Sequence, residues 1–576
     1  MQIRHLCIRH FRGVAALDWS PKKTFCCLIG PGDSGKSTIL DAIEATLSSR
    51  WFTFSEPDFH CCDTATPIVI EATVGGLSRQ LKSDERFGLY ARGWSTAGQL
   101  HDEPEDDDEA VLTVRLTVDA TLEPVWELVC ERLEQPRTLS NRDRMLFGLV
   151  RLAGEDSRHL AWGQGSVLSR LTGDTAGAAA RLAQAYRAAR DSANLDQIEA
   201  LTNAASQAEA FARGLGAYVN DTYEPGLELG RSGMSAGSIT LHDNGIPLRL
   251  AGLGTRRLAT LAIQKSAVPE GAIVLVDEVE HGLEPHRVLG AIAQLKADQR
   301  TAAEAGRPLG QILITTHSDV ALAEASATSL YVCQLSGRDR VLTVVPPVSP
   351  DPIQALMRHT PRALFARKIL VTEGMTEVGL LLGIREFWPD RHDLKPIEQL
   401  GSAIANGNGA EAVALTVALV GLGYRVALFR DSDVPLTADE MAKLGAAGVP
   451  VFEYGNLLNT EQAIFYAASE LQVQRLIDHA REERGVDPIN DSIFPAIGDM
   501  DRASVAQDFA TWELVHTALN GQQLRERLAE VAGRKKWFKD ARISRDIAPI
   551  VWSIAAGNQA SPLATALAQV EGWLYA

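Results

Sequence analysis

The chain is expected to be an α/β protein built in two parts, and three observations carry that expectation. A glycine-rich stretch, Gly30-Pro31-Gly32-Asp33-Ser34-Gly35-Lys36-Ser37-Thr38, lies between the apolar run Phe25–Ile29 and a helical pattern that opens at Ile39. Two later apolar runs, Gly271–Val276 and Gln311–Thr316, have the character of buried parallel strands and end in polar residues. A proline-rich break at Pro346–Pro352 is followed by renewed strand and helix patterns, in which two strands end in carboxylates.

The first residues, Gln2–Phe11, alternate in polarity and end in Arg12-Gly13, reading as a strand that turns towards a second one near Ala15–Trp19. The glycine-rich stretch fits G-x-x-x-x-G-K-[ST] between a strand and a helix. Its glycines let backbone N–H groups curl round a triphosphate at a helix N-terminus, where the dipole favours negative charge. Gly30, Gly32, Asp33, Ser34, Gly35 and Thr38 would line the phosphates of ATP, Lys36 would reach the outer ones, and the Ser37 hydroxyl would ligate Mg²⁺. A helix to about Leu47 and a strand at Ile68–Val74 follow.

From about Leu77 to Ser235 the sequence changes character. It holds the acidic run Asp102–Glu109, read as a solvated loop, then a strand-like Ala110–Ala120, then Ala-rich helical patterns over Thr175–Leu215. Leu182, Ala185, Tyr186 and Ala189 share a helical face there, as a core inside the insertion or as a dimer contact.

The run Gly271–Val276 ends in Asp277-Glu278. Asp277 is placed to hold Mg²⁺ through water and Glu278 to polarise the attacking water, while His317, after Gln311–Thr316, can sense the γ-phosphate. Between these parts, Leu250–Arg257 opens a helix that runs to about Lys265. In order and spacing these parts resemble ABC-type ATPases, and the resemblance places Gly254 against nucleotide held by an opposite protomer. The other reading of this stretch is a capped helix with two solvated arginines.

Beyond the proline-rich break, Arg367–Thr372 reads as a strand that delivers Glu373 to a turn at Gly374, with Glu377 four residues on in the first turn of a helix. Arg425–Phe429, after the helix Ala410–Leu422, leads to Asp431-Ser432-Asp433. Sites in open α/β sheets gather beyond the carboxyl ends of strands. Carboxylates crowded there need compensating charge, and hard oxygen ligands suit Mg²⁺ or Mn²⁺. An EG turn followed by D-x-D resembles the TOPRIM fold. Glu461, after the strand Val449–Phe452, would complete a two-metal arrangement flanking a phosphodiester. The basic stretch Arg534–Lys539, with Trp537 and Phe538 interleaved, offers a lysine for phosphate contact, or else forms an amphipathic helix with a solvated basic face.

Composition narrows the class. The 576 residues are enough for two or three cores, and the net charge of −17 argues against indiscriminate coating of nucleic acid. The longest apolar run, Ala412–Gly423, is too short to span a bilayer, and Arg4, His5 and Arg9 interrupt the start where a signal peptide would lie, so a cytoplasmic protein without membrane partners is expected. The seven cysteines show no framework spacing and are expected to be buried, reduced thiols.

An ABC-type ATPase joined to a C-terminal TOPRIM unit resembles the OLD (overcoming lysogenization defect) family, which includes the large subunit of the Gabija antiphage system. The likeness runs over Met1–Ile70, Ile239–Asp319 and Ala366–Glu461, and Asp277–His286, DEVEHGLEPH, is especially close to that family. It implies an ATP-regulated, metal-dependent DNA endonuclease, with Glu373, Glu377, Asp431, Asp433 and Glu461 as metal ligands and a catalytic lysine near the C-terminus, Lys539 or Lys536. It also implies a homodimer or higher oligomer and admits a helicase-type partner. The alternative is a non-catalytic DNA-binding clamp ATPase. The expected layout is 1–84 and 236–345 for the two parts of the ATPase, 85–235 for an insertion with a helical dimerisation element, 346–362 for a linker, and 363–576 for the TOPRIM unit with a C-terminal extension. The sequence departs from the family at Gly32-Asp33, where asparagine is common, and at Arg430, where an apolar residue is usual.

Overall fold

The computed structural model describes residues 1–152 and 241–576, apart from 51, 84–85, 244–245, 267, 499, 501 and 517, together with isolated positions between 153 and 240. Leu182, Tyr186 and Ala189, and with them the helical dimerisation element expected at Thr175–Leu215, lie outside the described residues.

The first part is a mixed sheet of 14 strands. Its strands are β1 (Gln2–Phe11), β2 (Val14–Trp19), β3 (Phe25–Ile29), β4 (Ile68–Gly75), β5 (Arg92–Trp94), β6 (Leu100–His101), β7 (Glu109–Val118), β8 (Pro124–Val129), β9 (Arg137–Thr138) and β10 (Leu149–Leu152). After a hairpin of β11 (His242–Asp243) and β12 (Ile246–Pro247), which is a sheet of its own, the chain returns with β13 (Ile273–Val276), β14 (Gln311–Thr315), β15 (Leu330–Leu335) and β16 (Val341–Val345). The strands β10-β13-β14-β3-β15 run parallel side by side, whereas β2-β1-β4-β7-β8 form an antiparallel wing. Every residue of β3, β13 and β14 is buried, as parallel strands covered on both faces require.

The helices that matter to function are α1 (Lys36–Leu47), α2 (Leu253–Ser266), α3 (Pro285–Glu304) and α4 (Asp319–Glu324). Most of the acidic run forms the loop between β6 and β7, with Asp102 paired to Arg92 at 3.0 Å and Asp108 to His101 at 2.8 Å, while its last acid, Glu109, opens β7 and pairs with Arg4 at 2.7 Å. Cys61 and Cys62 are exposed, against the expectation of burial, because they sit in a short turn after Phe59 whose backbone is left-handed at both cysteines.

The proline-rich segment is not a plain linker. Ser349 precedes a helix, α5 (Pro350–His359), because prolines in a first helical turn lack only N–H groups that have no partner there anyway. Its Ile353, Leu356 and Met357 are buried in one apolar core with Val276 and Ile314 of the first sheet and Val371 and Leu428 of the second.

That second sheet is parallel throughout, in the order β18-β17-β19-β20, from β17 (Lys368–Thr372), β18 (Ser402–Asn406), β19 (Arg425–Arg430) and β20 (Val451–Glu453). Helices α6 (Met375–Ile384) and α7 (Ala412–Gly421) connect its strands. Helices α8 (Thr460–Ala467), α9 (Glu470–Arg484), α10 (Gly521–Arg534), α11 (Ala541–Gly557) and α12 (Pro562–Tyr575) pack into a second core. Gly379 and Gly383, one turn apart on α6, admit α11. A Cβ at Gly379 would lie 2.3 Å from the Ala541 carbonyl, and one at Gly383 2.3 Å from Ala548 Cβ.

Of the stretch Arg534–Lys539, Arg534 closes α10 and Lys535–Lys539 form the turn to α11, not an amphipathic helix. Trp537 and Phe538 are fully buried beside Phe465, so they are core residues and no surface for stacking bases. No helix among the described residues is long and apolar enough to cross a membrane.

Candidate functional site

The glycine-rich loop joins central β3 to α1. Gly30 has φ +147°, and a Cβ there would sit 2.3 Å from the Cys333 carbonyl oxygen on neighbouring β15, so only glycine fits. Asp33 and Gly35 take left-handed φ of +59° and +85°, turning the chain into the helix, while Gly32 faces open space. Lys36 is 4% exposed, and its ammonium donates to the carbonyls of Gly30 (3.1 Å) and Pro31 (2.9 Å) and to Ser34 Oγ (3.1 Å). Burial pulls its pKa below the usual lysine range. Thr38 is half-buried one residue beyond Ser37.

Ser37 Oγ donates to Asp277 Oδ1 at 3.1 Å, which puts the expected Mg²⁺ hydroxyl and carboxylate in contact although they are 240 residues apart. Thr315 donates to the same oxygen at 2.6 Å. The other oxygen, Oδ2, accepts from Arg151 at 2.8 Å. Arg151 also binds Asp41 and Glu44 on α1; burial works against its charge, but these carboxylates outweigh it and raise the pKa.

Glu278 holds φ +43°, uncommon outside glycine, braced by its N–H to Thr315 Oγ1 (2.8 Å) and by Arg257, which donates to the carbonyls of Asp277 (3.2 Å) and Glu278 (2.7 Å). Arg257 is 3% exposed, so it is a buried brace and not a solvated arginine. Glu280 accepts from the His317 N–H and the Thr316 hydroxyl, both at 2.6 Å. The His317 ring lies 6.1 Å from that of Phe365. Burial, then the charge of Lys36, lowers the His317 pKa. Gly254 packs against its own chain, where a Cβ would meet Arg287, Glu284 and the Gly282 carbonyl at 3.0–3.1 Å.

In the second sheet the acids stand at the carboxyl ends of β17 and β19 and on the first turns of α6 and α8. Glu373 Oε2 accepts from the Asp431 N–H at 3.2 Å, and its backbone is fixed by Phe429 (2.9 Å) and Gly409 (2.7 Å). Glu377 caps α6 through the Gly374 N–H (2.8 Å), and its other oxygen is 2.9 Å from Thr460 Oγ1. The same hydroxyl is 2.8 Å from Asp431 Oδ1. One hydroxyl proton cannot fully satisfy two carboxylates. Burial, then the charge of Glu377, lifts Asp431 far above the ordinary carboxylate range; burial also raises Glu373 and Glu461.

Glu461 is 4% exposed, and its Oε1 is buried without a hydrogen-bond partner among the described residues. Asp433 is exposed at the rim, and its charge acts on both Glu373 and Glu461. The two candidate lysines separate. The charge of Lys539 acts on Glu461, whereas Lys536 occupies a left-handed position (φ +56°) in the turn and its carbonyl accepts from Arg484 at 3.0 Å.

The acids surround a shared region without closing on one point. Among the described residues, the only group of three His, Cys, Asp or Glu ligand atoms within 4.8 Å of one another is His479, Glu483 and Asp546 on α9 and α11, and there Arg542 already binds both carboxylates. At the strand ends Glu373, Glu377 and Asp431 are instead drawn to nearby N–H or hydroxyl groups. The donor set, all hard oxygens with one buried and unpartnered, nevertheless fits a divalent cation of the Mg²⁺ or Mn²⁺ kind.

Residues 149–323 match the protein family described as "AAA domain, putative AbiEii toxin, Type IV TA system". Residues 149–323, within the first part of the chain, are thus similar to an ATPase domain. The matched residues take in Arg151, Gly254, Asp277, Glu278 and His317, and such a domain binds ATP, usually with Mg²⁺. Among solved structures the chain is similar to the SmcHead bound to the C-winged helix domain of ScpA, at 18% identity, 60% of this chain, 97% of that chain and TM-score 0.33. It is also similar to an Smc head domain with an extended coiled coil bound to the C-terminal domain of ScpA from Pyrococcus furiosus (14%, 60%, 95%, 0.31) and to the SMC head domain from Thermotoga maritima (15%, 60%, 99%, 0.27). No curated protein matches.

Sequence reasoning passed over Arg151 and Thr460. Arg151 lies in a four-residue strand whose neighbour is set only by the sheet order, and Thr460 is one threonine beside the acid that drew attention. The crowded acids make a prediction for the ATPase's other half. A carboxyl whose folded pKa is raised binds more protons folded than unfolded, so stability is present below the usual carboxylate range, about pH 4, and falls as pH rises towards the folded pKa. Without divalent ions the melting temperature should therefore drop between about pH 5.5 and about pH 8, Mn²⁺ should restore it, and Asp431→Asn should flatten the slope; scanning calorimetry reads all three.

Proposed function

We propose that the chain is an ATP-regulated, divalent-metal-dependent DNA endonuclease of the OLD type, acting in defence against phage. The observation that carries this reading is the set of carboxylates at the ends of adjacent parallel strands, with a buried Glu461 oxygen that has no hydrogen-bond partner among the described residues and feels the charge of Lys539, on the same polypeptide as residues 149–323, which match an ATPase family. In it, 363–576 is a TOPRIM unit, and the 1–84 and 236–345 segments form an ABC-type ATPase that sandwiches ATP between two protomers, Gly254 facing the partner's nucleotide.

Glu373, Glu377, Asp431, Asp433 and Glu461 would hold Mg²⁺ or Mn²⁺, which when bound supplies an activated water and steadies the leaving oxygen. Thr460 fixes Glu377 and Asp431 relative to each other through one hydroxyl. Lys539 stands where it can neutralise charge on the scissile phosphate. In the ATPase, Lys36 and Ser37 address the phosphates and Mg²⁺, Asp277 backs Ser37, Glu278 orients water, and His317 reads the γ-phosphate. Buried aromatics at Trp537 and Phe538 leave DNA contact to backbone charge rather than base stacking.

A second reading, the non-catalytic DNA-binding clamp ATPase, is favoured by the failure of the carboxylates to close within 4.8 Å of one another. Supercoiled plasmid incubated with Mg²⁺ or Mn²⁺ over an ATP titration separates the two. Nicks or breaks that respond to ATP support the nuclease, and ATP-dependent DNA binding without cleavage in either metal supports the clamp. A helicase-type partner enters only if cleavage requires it.

A further inference from the structure

The seam between α9 and α11 holds ligating groups of its own, away from the strand-end acids. Helix α9 presents His479 and Glu483 four residues apart, a spacing that puts both on one face, and α11 brings Asp546 against them. One ligand atom from each lies within 4.8 Å of the other two. The set is more than a pair of acids. His479 is half-buried, and its Nε2 is buried without a hydrogen-bond partner among the described residues. Leaving such a nitrogen unsatisfied costs free energy, and a metal ion beside two carboxylates recovers it, since imidazole is the commonest metal ligand. The place of a cation is already marked. Arg542, one turn before Asp546, donates from Nη1 to Glu483 at 3.1 Å and to Asp546 at 3.3 Å, while its Nη2 meets the other Glu483 oxygen. That side chain is 64% exposed, so it can swing into water at little cost.

We propose that His479, Glu483 and Asp546 form a binding site for a transition-metal dication of the Zn²⁺ class, which displaces the Arg542 guanidinium from between the two carboxylates. The site is independent of the nuclease reading. One imidazole with two carboxylates suits Zn²⁺, whereas Mg²⁺ and Ca²⁺ take oxygen ligands. Ligand atoms of a tetrahedral zinc ion stand roughly 3.3 Å apart, so the three groups need to draw together by about 1.5 Å at most. Asp546 is exposed and can turn inwards by side-chain rotation. The bound ion staples α9 to α11 beside the turn Lys535–Lys539, where Arg484 of α9 already donates to the Lys536 carbonyl at 3.0 Å and Asp540 caps α11.

Co²⁺ serves as the spectroscopic probe for Zn²⁺. Full-length protein is stripped of metal with a chelator, held in a large excess of Mg²⁺ to saturate all-oxygen sites, and titrated with Co²⁺. Wild type should take up one ion per chain, with a visible absorption band and a paramagnetically shifted imidazole proton resonance; Zn²⁺ should displace it and raise the melting temperature. His479→Gln should abolish the shifted resonance and weaken uptake by at least about tenfold, the least that partners of a metal site are worth. Arg542→Gln should tighten uptake by about threefold, the scale of releasing an exposed ion pair. Absence of saturable uptake in both wild type and Arg542→Gln overturns the proposal. So does uptake that His479→Gln leaves unchanged, which would mean an adventitious ion only, held by surface acids. Should His479→Gln fail to fold, the imidazole resonance of wild type and the Arg542→Gln isotherm decide.

Discussion

Lys36→Ala is expected to lower ATP hydrolysis by about 10²–10³-fold, the scale of losing one preorganised donor to developing phosphate charge. The side chain is buried inside the loop it serves, with three acceptors within 3.1 Å, so no neighbouring lysine can take its place. Phosphate release measures the rate, and a fluorescent nucleotide measures binding. The substitution leaves Gly30, Asp33 and Gly35 to shape the loop, so nucleotide binding should weaken while the melting temperature changes little. A rate within threefold or so of wild type would mean that the loop is not where hydrolysis happens.

Asp431→Asn should reduce plasmid cleavage by at least about 10²-fold while leaving ATP hydrolysis intact. The substitution is nearly isosteric, and its amide can still meet Thr460, so the fold is kept. The loss falls on charge alone. Burial drives the Asp431 pKa up, its N–H donates to Glu373, and its carboxylate meets the Thr460 hydroxyl that Glu377 also meets. An ATP-dependent DNA-binding protein that cuts no less after this change would make the strand-end acids structural.

The parts of the two sites that are local in sequence were legible in it. A loop that must reverse the chain at Gly30 and Gly35 and present Lys36 has to spell itself in consecutive residues, and Glu377 follows Glu373 at a spacing that a helix start imposes. Asp277 and His317 were readable because wholly buried parallel strands leave runs of apolar residues. What escaped depends on distance in the fold. Arg151 reaches Asp277 only because β10 lies beside β13. Lys539 and Lys536 differ only in how the turn after α10 is wound. Trp537 and Phe538 show the same blindness, since alternation of basic and aromatic residues describes a stacking platform and a buried corner equally well. Pro350 misled for a local reason, because a proline that ends one helix is welcome at the start of another.

The core that Ile353, Leu356 and Met357 share with strands from both sheets bears on how such a protein can change over time. Severing the chain at the proline-rich segment would bare oily surface on each fragment, so the motor and the acid-bearing half should not survive as interchangeable cassettes. New specificities in this lineage are then expected to arise by drift within a fixed pairing rather than by recombination of free-standing halves.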